Sequence, residues 1–265
     1  MDAISLTLIS TLGLTGNSVA ASHFFKSKER MCPFQLSFFS FLPAFTVALV
    51  CVPFIWDKLS ATTLLYLFLK DCLYGLAFFL RFEALKKYGA FVGALLLGIQ
   101  PIFVSILSYG ALHEQRSLMQ IASVVLAALG LYFLTAKSKH RPFNPKDALL
   151  CVFLPALLMA LVMVLDRHSL TKQLGGMDFF IADKVLLLPA FVFAILLLQP
   201  QLLRRSLKKI PAQREALGLT LGLGILWLVS SLFYGLALEM EKTAVVSKLR
   251  NLSYPLAALL GLILF

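Results

Sequence analysis

Charge is scarce in this chain. Asp, Glu, Lys and Arg make up 14% of its 265 residues, where a soluble domain carries about 25%. Acid is scarcer than base, 13 against 24, which leaves a formal net charge of +11. With 60% hydrophobic residues and a mean hydropathy of +0.88, a water-soluble globule is excluded. Cysteine is sparse too. Cys32, Cys51, Cys72 and Cys151 are scattered, with no C-x-x-C pair. They read as small buried hydrophobes rather than a metal centre or a disulfide framework. His23, His113, His140 and His168 form no ligand spacing. His113-Glu114 lacks the second histidine of a zinc helix, and neither G-x-S-x-G nor a phosphate-cradling G-x-x-x-x-G-K-S/T occurs. The expectation is a protein that is not an enzyme and carries no cofactor and no metal.

What fills the chain instead is a succession of apolar runs. Nine candidates of membrane-spanning length lie near 3–24, 34–56, 61–80, 89–112, 117–136, 148–166, 179–199, 216–238 and 244–265. Transmembrane strands would be shorter and would alternate in polarity, so all nine read as helices. Only Met1 and Asp2 precede the first run, and no small-residue cleavage site follows it. A retained helix is expected rather than a signal peptide. The fold class is therefore all-α integral membrane, a polytopic bundle of about nine transmembrane helices.

The basic residues are unevenly placed. Alternate connections hold Lys26, Lys28, Arg30; Arg81, Lys86, Lys87; Lys137, Lys139, Arg141, Lys146; and Arg204, Arg205, Lys208, Lys209, Arg214. The opposite side holds Lys58, Arg116, Arg167, Lys172 and Lys242. This bias is the positive-inside signature, and it places the N-terminus outside and the basic loops in the cytoplasm. It accounts for the positive charge without nucleic acid. The expected setting is the bilayer, taken as a bacterial inner (plasma) membrane.

A few ionic residues lie inside the runs, where each costs about 2.5–3.5 kcal/mol on insertion scales. In the last run Ser247, Arg250, Asn251 and Tyr254 stand at i, i+3, i+4 and i+7 and line one helix face, with Lys248 beside them. The third run carries Lys70, Asp71 and Tyr74, and the seventh Asp183 and Lys184. Guanidinium, ammonium, amide and phenol groups suit an anionic or zwitterionic ligand, arginine supplying a planar fork for carboxylate or phosphate. Two other readings stay open: pairing that only fixes helix register, such as Asp71 with Lys248, and snorkelling of Lys184 and Lys248. Asp71 is the candidate for a coupling proton, because desolvation penalises a buried carboxylate charge. Asp183 and Lys184 are candidate counter-charges. Trp227 and Tyr234 are candidates to stack on a substrate ring or simply to pack. Asp166-Arg167-His168 reads as a solvated helix end.

The polar segment 138–146 divides five runs from four. A shift of 154 superposes Ala90 on Ala244, Val92 on Val246, Leu95 on Leu249 and Pro101 on Pro255. Matching interruptions in two halves point to a transporter's binding region. Pro101 and Pro255 would bend their helices, and Gln100 and Tyr254 precede them at matched positions. Gly89-x-x-x-Gly93 and Gly218-x-x-x-Gly222 permit close helix contact.

The stretch from Phe79 through Ala84-Leu85, Tyr88 and Pro101 to Glu114-Gln-Arg116 resembles the third-to-fifth helix signature of EamA-type carriers of the drug/metabolite transporter superfamily. Gly16-Asn17 resembles the pattern of that family's first helix, without its tryptophan. The resemblance implies ten helices as five plus five, with both termini in the cytoplasm, against the N-terminal placement that the Lys/Arg bias favours. The chain stops at Phe265, where a tenth helix would begin, so the second repeat is expected to be incomplete. The expected layout is a first repeat over 1–137, a linker over 138–146 and an inverted second repeat over 147–265. Sugar-phosphate translocators of the superfamily hold substrate with Lys and Arg of late helices, which resembles Lys248-x-Arg250. The glutamate that small multidrug carriers place in their first helix has no counterpart here.

Together these features describe a secondary transporter, a permease or exporter, moving a small polar metabolite of anionic or amino-acid-like character by alternating access. Lys248, Arg250, Asn251, Tyr254, Lys70, Asp71, Tyr74, Gln100, Trp227 and Tyr234 would meet the substrate. A proton or another ion would couple transport. The alternative is a non-transporting assembly protein, or a truncated subunit, whose buried charges are structural. Oligomeric state is not readable.

Overall fold

A computed structural model describes residues 2–13, 32–88, 90–113, 149–172, 174–201, 214–240 and 246. The fifth span, the linker and almost all of the last span lie outside the described residues. So do Gly16, Asn17, Glu114, Ser247, Lys248, Arg250, Asn251, Tyr254 and Pro255. Among the described residues every regular element is helical. In chain order they are α1 (Ala3–Gly13), α2 (Pro33–Cys51), α3 (Ala61–Tyr88), α4 (Ala90–Leu112), α5 (Leu154–Lys172), α6 (Gly176–Leu198) and α7 (Arg214–Met240). Two 3-10 turns, Val52–Phe54 and Trp56–Lys58, follow α2, and a π-helical turn, Leu149–Phe153, leads into α5. Five of these segments are long and apolar enough to cross a membrane: Pro33–Phe54, Ala61–Lys87, Leu149–Leu170, Gly176–Leu198 and Thr220–Met240.

Local chemistry sets several helix starts. The Ser5 amide donates to Asp2 Oδ1 at 2.8 Å, so Asp2 caps α1, and this bonding holds its carboxyl below the usual range. α2 opens with Pro33, whose missing N–H costs nothing in a first turn, while the Cys32 amide donates to Gln35 Oε1 at 3.0 Å. Ser60 caps α3 by accepting from the Thr63 amide at 3.1 Å.

Two boundaries differ from the sequence expectation. The third span does not stop at residue 80 but continues helical to Tyr88. Arg81 is therefore on the helix and buried, not in a connection. α5 likewise runs on through Asp166, Arg167 and His168 to Lys172, so the helix does not end there; Asp166 is buried, while Arg167 and His168 are half-buried. In both cases helical periodicity carries one charged residue, Arg81 or Asp166, onto a packed face. α4 is a single helix with Pro101 inside it.

α3 is the central element. It packs on α5 and α6, α2 packs on α6 and α7, and α4 lies along α5. The bundle holds its charged groups within and turns an apolar face outward. Leu65 and Leu69 of α3, Val50 of α2 and Leu197 of α6 are exposed, whereas Lys70 and Asp71 are 2% and 1% exposed. Such a shell of exposed leucines would be an aggregation surface in water and is the ordinary surface against lipid.

One half of the interior is aromatic. Phe41 lies 4.8 Å from Phe78, 5.4 Å from Phe191 and 5.1 Å from Trp227, centroid to centroid. Lipid tails are as apolar as these rings, so close packing rather than water exclusion holds the helices here. Small residues permit it. A Cβ on Gly75 would stand 2.9 Å from Phe191 Cβ, and one on Gly224 would stand 2.8 Å from the Ser40 carbonyl and from Pro43 Cγ. Gly218 and Gly222 have no neighbour within 4 Å among the described residues, whereas Gly224 is the α7 glycine that packs closely on α2. We expect Gly75→Val to lower unfolding stability in detergent by about 1–3 kcal/mol through overpacking against Phe191. Gly222→Ala is the control that leaves stability unchanged.

Candidate functional site

α3 brings Tyr66, Lys70, Tyr74 and Phe78 onto one face by their spacing of four, with Asp71 alongside. That face turns toward α5, α6 and α7. The Lys70 ammonium lies 2.9 Å from Asp166 Oδ1 on α5 and 3.1 Å from Asp71 Oδ1, and donates to Asp183 Oδ1 on α6. The Lys184 ammonium donates to the other Asp183 oxygen. Tyr234 of α7 donates to Asp166 Oδ2 at 3.4 Å. Each of these five ionic side chains is at most 10% exposed. Asp71 Oδ2 is buried and, among the described residues, has no hydrogen-bond donor.

Among the described residues three carboxylates thus surround two ammonium groups, an excess of one negative charge when all are ionised. A dry interior amplifies both the attraction of each pair and the cost of any imbalance. Aromatic rings close the cluster. Lys70 Nζ lies 5.0 Å from the Phe179 centroid. Lys184 Nζ lies 4.8 Å from that of Trp227, 5.7 Å from Phe180 and 5.9 Å from Tyr74, all within cation–π range. The Trp227 indole N–H donates to the Tyr74 hydroxyl at 3.1 Å. Trp227 is fully buried and joins the ionic centre to the aromatic half of the core.

Toward the start of α6 and the end of α7, polar ties link helix ends. Lys58 pairs with Asp178 at 2.6 Å. Arg167 donates to the carbonyls of Leu238 and Glu239, the latter at 2.9 Å, satisfying acceptors that the end of α7 leaves open. The Tyr66 hydroxyl donates to the Leu165 carbonyl at 3.1 Å.

The structure therefore brings together Lys70, Asp71, Tyr74, Asp183, Lys184, Trp227 and Tyr234, all nominated from sequence. Gln100 is not in these contacts: its side-chain amide donates to Met163 Sδ at 3.1 Å, between α4 and α5 and one turn before Asp166. The candidate pairing of Asp71 with Lys248 is not observable, since Lys248 lies outside the described residues, and Lys70 is the cation at Asp71. Asp166 is the residue that sequence reading missed. A signal for it exists: Val162, Met163, Asp166, Ser169 and Leu170 follow helical spacing, and all are buried.

A chain with apolar outer faces and a polytopic helical bundle around ionic groups is an integral membrane protein built to tolerate polarity at depth. The family model of the EamA-like transporter family matches residues 2–136. The chain belongs to the EamA-like transporter family and is a membrane transporter of the drug/metabolite type, with a small-molecule substrate and the lipid bilayer as its partners. No curated protein matches the sequence.

The charge imbalance makes the five groups unequal. Lys70→Met strands three carboxylates around one remaining cation and should cost about 3–5 kcal/mol of unfolding stability. Asp166→Asn keeps the shape, removes the surplus negative charge and should cost less than half as much. Denaturant or thermal unfolding of both variants in the same detergent checks this ordering.

Proposed function

We propose that this transporter moves a small polar metabolite of anionic or amino-acid-like character by alternating access. The observation that carries the reading is the ionic cluster itself. Charged groups inside membrane-spanning helices are costly, and in such proteins they mark substrate and ion pathways. Here they come from three helices, α3, α5 and α6, with aromatic residues of α7 beside them.

In this reading Lys70, Asp71, Tyr74, Trp227 and Tyr234 line the path on one side. Lys248, Arg250, Asn251 and Tyr254 of the last span, with Gln100, complete it. Asp71, with Asp183 and Lys184 as counter-charges, carries the coupling proton or ion. Pro101 and Pro255 are bend points in helices that rock. The wider layout belongs to the same proposal: nine helices, a first repeat over 1–137, an inverted and incomplete second repeat over 147–265, and a bacterial inner membrane. A zwitterion fits the distribution of charge best, its ammonium near the carboxylates described above and its carboxylate near Arg250. The alternative of a non-transporting assembly subunit is not favoured by membership of a transporter family.

Uptake into proteoliposomes screened across anions, amino acids and nucleobases tests the reading. For a substrate found in this way, Arg250→Ala should abolish transport with folded protein retained. Asp183→Asn should lower it by at least about tenfold, the loss corresponding to roughly 1.4 kcal/mol. Unchanged rates in both variants would remove the cluster and the last span from the path.

A further inference from the structure

We propose that the rings of Trp227, Tyr74 and Phe180, with the Asp183 carboxylate, form a binding site for an organic ammonium group, and that Lys184 occupies it as a tethered stand-in when no ligand is present. The inference rests on the transporter reading and names the chemical class of one end of its substrate.

Three independent helices build this enclosure. Phe180 stands one turn before Lys184 on α6, Tyr74 comes from α3 and Trp227 from α7, and their centroids lie 4.8–5.9 Å from Lys184 Nζ. Several aromatic faces around one cation are the arrangement that selects ammonium ligands over neutral ones, because each ring presents its negative face to the charge. The Trp227 N–H is tied to the Tyr74 hydroxyl at 3.1 Å, which fixes the two rings relative to each other before any ligand arrives. Asp183 supplies the anion, accepting from Lys184 through one oxygen and from Lys70 through the other.

A buried lysine in such a site is a movable occupant. Its ammonium rides on a flexible four-carbon stem, and a second acceptor exists for it. Among the described residues Asp71 Oδ2 is buried with no hydrogen-bond donor, and Asp71 lies within electrostatic reach of both Asp183 and Lys184. If Lys184 shifts to Asp71, a ligand ammonium takes its place against the rings and Asp183. Among the described residues the cluster then holds three cations and three carboxylates and is neutral. Charge balance and ring geometry thus favour the same ligand class.

Methylammonium, which reproduces the end of the Lys184 side chain, is the probe. Binding of radiolabelled methylammonium to the purified full chain in detergent should be saturable. It should compete with other alkylammonium ions but not with acetamide or acetate. Lys184→Met removes the internal competitor and should tighten binding by at least about tenfold. Trp227→Phe keeps a ring but weakens the cation–π attraction, and should loosen binding by about three- to tenfold. Absence of saturable binding to the wild-type chain would overturn the proposal. So would equal competition by acetamide, or unchanged affinity in folded Trp227→Phe. Weaker binding in folded Lys184→Met would contradict the stand-in role. No gradient is involved, so a chain that binds methylammonium yet moves nothing keeps the site and loses the carrier reading. A chain that transports without binding it does the reverse.

Discussion

One ammonium group organises this bundle. Lys70 reaches carboxylates on its own helix, on α5 and on α6, and each contact would be costly to leave unmade in a medium without water. Three helices are thereby fixed in rotation and in height relative to one another. Apolar packing alone would not do this, because leucine against leucine and leucine against lipid differ little in free energy. Ionic contacts are directional, and the same feature makes them sensitive to any added charge.

The rest of the interior is arranged around that constraint. Exposed leucines and valines on α2, α3 and α6 dissolve the outer surface in lipid. The phenylalanine-rich half packs tightly around Trp227, with Gly75 and Gly224 allowing backbones to approach. Trp227 belongs to both halves, packed at a tilt against phenylalanines on one side and facing the Lys184 ammonium on the other. A rigid apolar half beside a polar half with one surplus negative charge is an asymmetric scaffold.

Much of this was legible beforehand, for identifiable reasons. Apolar run length gave the existence of the helices, since the bilayer sets a minimum length. The rarity of charge inside those runs singled out Lys70, Asp71, Asp183 and Lys184, and their convergence follows from the cost of exposing any of them to lipid. Helix ends were less legible. Arg81 and Asp166 sit where hydropathy falls, yet the backbone stays helical, because hydrogen bonding along a helix does not stop at the edge of an apolar window. Asp166 was thereby misread as solvated although its spacing from Met163 and Leu170 places it on the buried face. Spacing shows that a close contact is permitted at Gly218 and Gly222, not which face of α7 meets a neighbour; the close approach to α2 is at Gly224.

A double-mutant cycle on Lys70→Met and Asp166→Asn, read by unfolding free energy in detergent, addresses the central interaction most directly. If one ammonium is shared among the three carboxylates, neutralising Asp166 relieves part of the damage from losing Lys70. The double variant should then be more stable than the sum of the single effects by more than about 1 kcal/mol. Additivity within about 0.3–0.5 kcal/mol, the behaviour of independent sites, would contradict it.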